Sequence, residues 1–146
     1  MRLVLQRVLS ARVRVRGETV GEIDRGLLVF VGVARGDGAR EVAAAAEKLA
    51  TLRVFEDDAG KMNLDLTQAG GALLVVSQFT LAGSLARGRR PSFDAAAPPE
   101  EARALYEDLV AQLRARGFRV ETGRFREPME VELINDGPVT FVFDTP

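Results

Sequence analysis

The sequence contains no histidine, no cysteine and no tryptophan. Without cysteine there is no disulfide, no thiolate nucleophile and no thiolate zinc ligand; without histidine there is no imidazole base, no Ser-His-Asp triad and no imidazole metal ligand. Any chemistry must use hydroxyls, carboxylates, lysine or arginine, backbone amides, or a group carried by the substrate. An excess of one charge is lacking too: 20 basic against 21 acidic residues leave a net charge of −1. There is no global basic field of the kind that dominates nonspecific DNA binding, so DNA is not an expected partner, and any nucleic-acid partner needs a local patch. Lysine is scarce, with Lys48 and Lys61 the only two. No segment approaches the roughly 18 apolar residues of a membrane span. The charges scattered through MRLVLQRVLSARVRV exclude a secretory apolar region. The expectation is a soluble cytoplasmic protein with no membrane partner.

What is present fits one domain over residues 1–146, with 47% hydrophobic residues and no linker or repeat. A chain of this size buries a sufficient core without a disulfide or structural metal. Leu3, Leu5, Val13 and Val15 alternate with polar residues, as in half-buried strands, and Gly17-Glu18 reads as a hairpin turn into a strand over 19–23. The continuous apolar run Leu27 to Val33 suits a strand covered on both faces. Helical spacing recurs from about Arg40 to Leu52, with Asp37 as start signal, and again after Pro98-Pro99 until Gly117. Val54-Phe55 and Leu64-Leu66 suggest a short strand pair, Ala72 to Thr80 another strand, and Met129–Ile134 and Val139–Phe143 two final strands around a turn. The fold class is α+β, with a mainly antiparallel, barrel-like sheet core and two helices.

Four segments stand out chemically. Ser77-Gln78-Phe79-Thr80 puts polar side chains at the end of an apolar strand. They either satisfy neighbouring backbone groups or form a rim of donors and acceptors, with Thr80 a nucleophile or a positioning hydroxyl. Asn135-Asp136-Gly137-Pro138 is a turn on either reading, and as a functional element it would aim bare backbone groups at a ligand that Gly137 lets approach closely. The loop Ala82–Ala97 contains Arg87-Gly88-Arg89-Arg90-Pro91-Ser92-Phe93, a solvated charge run or a phosphate site with base stacking on Phe93. Thr122-Gly123-Arg124-Phe125 is either a smaller patch of the same type or a core phenylalanine flanked by a surface arginine. The acidic Glu56-Asp57-Asp58 lacks further spaced ligands, so no metal site is assigned and no cofactor is expected.

In this order, and from Met1 to Phe143, these motifs resemble the D-aminoacyl-tRNA deacylases, first described as D-tyrosyl-tRNA deacylases. The resemblance implies an ester hydrolase acting on tRNA charged with a D-amino acid or glycine, a homodimer with a site at each end of the subunit interface. It places Ser77, Gln78, Phe79 and Thr80 at the catalytic strand end and brings Gly137 and Pro138 from the other subunit as a cis-bonded chirality filter. It implies that Arg7 and Asn135 support that turn, and that Phe125 and Met129 surround the terminal adenosine. Arg87, Arg89, Arg90 and Phe93 then meet tRNA. Arg126-Glu127-Pro128 departs from the small residues usual in the family there.

Two routes fit the resemblance: attack by Thr80, or attack by water assisted by the ribose 2′-hydroxyl, with amides near Phe79 and Thr80 stabilising the oxyanion. The missing histidine and cysteine favour the second. A non-catalytic tRNA- or nucleotide-binding module is the alternative from another class, and a metal-dependent hydrolase a third with few plausible ligands.

Overall fold

The computed structural model describes residues Met1–Pro146. The elements follow in the order β1 (Arg2–Val15), β2 (Glu18–Ile23), β3 (Gly26–Gly32), α1 (Ala39–Thr51), β4 (Phe55–Glu56), β5 (Met62–Leu64), α2 (Leu66–Ala69), β6 (Ala72–Ser77), α3 (Pro99–Ala115), β7 (Val120–Thr122) and β8 (Glu130–Asp144). A 3-10 turn, Phe79–Ala82, follows β6 directly. The α+β class stands, with three helices instead of two.

The main sheet runs β2-β1-β3-β6-β7, with β8 also paired to β1. β1 is long because it serves three partners. One edge takes β3 along Arg2–Val8 and β2 along Ala11–Val15, while β8 pairs along Arg2–Arg14. These pairings are antiparallel, whereas β6 joins both β3 and β7 in parallel. The free edges of β2 and β7 then approach each other, and the sheet nearly closes. Arg119 donates to the Glu22 carbonyl at 3.0 Å, and a Cβ on Gly21 would meet the Thr122 carbonyl.

Near closure gives the sheet two buried faces and therefore two cores. One face packs Leu3, Leu5, Val29 and Val75 against Val42 and Leu49 of α1 and Leu109 and Leu113 of α3. The other encloses Val8, Val13, Ile23, Leu28, Leu74 and Val76. This explains the continuous apolar runs of β3 and β6, since alternate residues feed different cores. In β1 the register shifts around Val8, and the buried set changes from Leu3 and Leu5 to Val8, Ala11 and Val13. A bulge of this kind lets one strand turn the corner between two cores. Each fully buried leucine contributes about 1.5–3 kcal/mol of burial free energy.

Local signals differ from the sequence expectation at five places. Asp37 does not start α1; it accepts from the Met1 amine at 2.7 Å and the Ala34 amide at 2.7 Å. Glu41 instead accepts from the Gly38 amide at 2.8 Å. Leu66 belongs to α2, which Asp65 and Gln68 open by reciprocal side-chain to backbone bonds of 2.8 and 2.9 Å. β6 ends at Ser77, so Thr80 lies on the 3-10 turn and not on a strand. The two expected C-terminal strands are one, β8, because both halves follow β1 and the Asn-Asp-Gly-Pro segment is absorbed as a bulge. β7 is a three-residue strand that no sequence pattern announces.

Candidate active site

The strand end is shaped by close packing. The Gln78 amide continues the ladder by donating to the Val31 carbonyl at 2.8 Å, then Leu81 N donates back to Gln78 O at 3.1 Å and starts the 3-10 turn. Gly32 permits that turn, since a Cβ there would lie 2.6 Å from Leu81 Cβ and 3.1 Å from the Gln78 carbonyl. Gln78 Nε2 donates to Thr80 Oγ1 at 2.5 Å. Phe79 is 57% exposed despite being aromatic, and its ring meets Phe93 at a centroid distance of 5.1 Å.

This rim borders a cavity of about 550 Å³ that brings together Ser77, Gln78, Phe79, Phe125 and Met129. Its remaining wall includes Val31 and Val33, Pro99 and Ala102 at the start of α3, and Arg126-Glu127-Pro128. Arg126 adopts a left-handed conformation, φ 62°. Met129 Sδ accepts from the Arg124 amide at 3.4 Å, folding residues 124–129 back on themselves. Arg103 lies over the Phe125 ring, 4.9 Å from its centroid. Below the wall, Tyr106 donates to the Val75 carbonyl at 2.7 Å, and burial pushes its hydroxyl up to about 12, so it remains a donor at any ordinary pH.

Arg7, Asn135, Gly137 and Pro138 line no part of that cavity. They assemble on the β1–β8 ribbon. Arg7 is 4% exposed; Nη1 donates to the Val54 carbonyl at 2.6 Å, and Nη2 stands 3.7 Å from Glu56. Its Nε is 3.0 Å from Asp136 Oδ2. That N–H is not aimed at the oxygen, so the contact is an ion pair and not a hydrogen bond. Asn135 Nδ2 donates to the carbonyls of Arg7 and Val139, at 2.9 and 3.1 Å. A Cβ on Gly137 would fall 2.6 Å from Asn135 Oδ1. The Gly137–Pro138 peptide is cis, and both residues are exposed.

Arg87, Arg89 and Arg90 stand in an exposed loop closed by reciprocal Ser84–Ser92 backbone bonds of 2.8 and 2.9 Å. None of the three is ion-paired. The acidic segment is a turn in which Asp57 accepts from the amides of Ala59 and Lys61. Sequence reasoning missed Arg103, Pro99 and Ala102, whose helical spacing reads as ordinary core and surface.

A nearly closed sheet packed on two long helices, with a hydroxyl-and-amide rim opening on a cavity, defines the class: a small α+β domain with one main sheet. A solved structure described as "Structural Analysis of a probable eukaryotic D-amino acid tRNA deacylase" shares that fold, with a TM-score of 0.80 over 97% of both chains at 20% identity. The family model for D-Tyr-tRNA(Tyr) deacylase matches residues 4–144, and the chain belongs to that family. It is 59% identical to the D-aminoacyl-tRNA deacylase of Anaeromyxobacter dehalogenans, covering 99% of this chain and 97% of the relative. It is 57% identical to the D-aminoacyl-tRNA deacylase of Geobacter sulfurreducens, covering 99% and 95%. A solved structure described as "c-Myc DNA Unwinding Element Binding Protein" is 37% identical, with a TM-score of 0.93 over 100% of this chain and 99% of that one.

Proposed function

We propose that the protein hydrolyses the ester joining a D-amino acid, or glycine, to the terminal ribose of tRNA in the cytoplasm, and that it works as a homodimer. Water adds to the ester carbonyl carbon, the bond to the ribose oxygen breaks, and that oxygen leaves with a proton. The products are a free amino acid and intact tRNA. The ribose 2′-hydroxyl assists the attacking water. The first amides of the 3-10 turn, at Phe79 and Thr80, have no partner within the turn and suit the oxyanion. Gln78 and Thr80, already bonded to each other, position the substrate.

The observation that carries this reading is the separation of the two motifs. The rim cavity lacks the Gly137–Pro138 segment, and that segment is exposed on β8, with Asn135 bonded to carbonyls of its own protomer. A second protomer supplies the segment to each rim. Leu9, Ile134, Phe141 and Val142 support the dimer, being exposed large apolar residues on the β1–β8 ribbon. Rigid backbone carbonyls then hold the substrate amino group and leave no space for an L side chain, while glycine passes the filter.

The test is release of D-tyrosine against L-tyrosine from charged tRNA. Thr80→Ala is expected to keep activity within about tenfold, whereas a substrate ending in 2′-deoxyadenosine loses about a hundredfold or more, the size of a lost catalytic group. The reverse pattern would make Thr80 the nucleophile. Binding of tRNA without release of either amino acid would leave only the binding-module reading.

A further inference from the structure

A second cavity lies beyond the rim. It holds about 670 Å³ and lies along the flank of α3, where the exposed Arg103 and Arg114 and the buried Tyr106 and Val110 recur at helical spacing. Its opposite wall is the segment from Thr122 to Phe125. Phe125 and Glu127 also line the rim cavity, so the two spaces are divided by one layer of side chains.

The charges are arranged for an anion. Three guanidiniums, of Arg103, Arg114 and Arg124, face the carboxylates of Glu107 and Glu127. Glu127 is drawn off by Arg16 at 3.5 Å. Arg114 is spent on the Val120 carbonyl, with contacts of 3.3 and 2.8 Å. Arg103 keeps its donors free while its plane rests on Phe125, and the exposed Arg124 side chain has no ion pair. Between them the floor is apolar, formed by Val110 and Ala111. Free guanidiniums beside an apolar, aromatic-edged floor suit a phosphodiester with its base.

We propose that this groove binds the nucleotide immediately preceding the terminal adenosine, its phosphate on Arg103 and Arg124 and its base against Val110 and Ala111. The proposal rests on the rim cavity holding the terminal aminoacyl-adenosine. A strand ending there and passing over the Phe125 wall enters this groove next, so the site reads single-stranded RNA by charge and stacking.

The test compares D-tyrosyl-tRNA with D-tyrosyl-adenosine, the ester on a bare nucleoside. Arg124→Glu is expected to raise KM for the tRNA substrate tenfold or more and to lower the salt-dependence slope by about one, with hydrolysis of the nucleoside ester kept within twofold. Arg124→Lys should restore most of the loss, and Lys61→Glu, an equal charge change on the β4–β5 turn, should leave KM unchanged. Equal effects on both substrates, no effect on tRNA, or the same loss from Lys61→Glu would overturn the proposal. Inactivity of the unsubstituted protein on both substrates would instead overturn the rim reading, and this site with it.

Discussion

On the β1–β8 ribbon, a buried arginine and an asparagine tie down a short exposed segment through carbonyls on two other stretches of chain. At the end of β6, by contrast, an exposed phenylalanine and a pair of polar side chains stand on a turn held by its own backbone. The first region spends its polar groups inside the protein; the second leaves them facing outward. Under the proposed reading, the part that must refuse substrates is made stiff in advance. The part that must meet many aminoacyl groups is left with free donors.

Removing Arg7 should break this contrast most strongly. Arg7→Ala leaves Asp136 without its partner and the Val54 carbonyl without its donor, and the cost is about 2–4 kcal/mol in urea unfolding. The same variant is expected to release L-tyrosine from tRNA faster than the parent does; unchanged discrimination would show that the segment is held without Arg7. The rim can be attacked from beneath through Gly32. Gly32→Ala forces a Cβ onto Leu81, should cost about 1–3 kcal/mol, and should lower turnover of D-tyrosyl-tRNA by displacing the turn. A stability loss with full turnover would mean that the turn's position matters little to the reaction.

The smallest expected effect is a pH difference between the regions. Hydrogen bonds from Arg12 and Arg2 hold the carboxyls of Glu132 and Asp144 below their ordinary values, and all four residues lie on the β1–β8 ladder. A carboxyl that titrates lower in the folded than in the unfolded chain stabilises the fold above its unfolded value, about pH 4, and that contribution is lost as pH falls through the folded value. Amide exchange, corrected for intrinsic rates, should therefore rise in β8 before β6 on acidification toward about pH 3. Simultaneous loss would show that the ladder carries no separate weak point.

Much of this was legible in the residues, for physical reasons that differ by element. β1, β3 and the long helices carry periodicity over enough positions to be read, and the motifs at Ser77–Thr80 and Asn135–Pro138 stand out against apolar surroundings. α2 is a single turn, too short for any period to show. The continuity of β8 was hidden because Asn-Asp-Gly-Pro is strong turn chemistry locally, and only the long partner β1 overrides it. The α3 groove was illegible for another reason. Its arginines sit at ordinary surface positions of a helix, and their meaning comes from Phe125, on a segment that follows β7.

The bond from Asn135 to the Arg7 carbonyl joins residues 128 positions apart. Contacts of such separation form late, because the intervening chain must first be ordered, and during synthesis β8 leaves the ribosome after every other strand of the sheet. A nascent chain can thus own the Ser77–Thr80 strand end before it owns the clamp. Under the proposed reading, an interrupted or truncated copy therefore lacks its discriminating element before it lacks its reactive one.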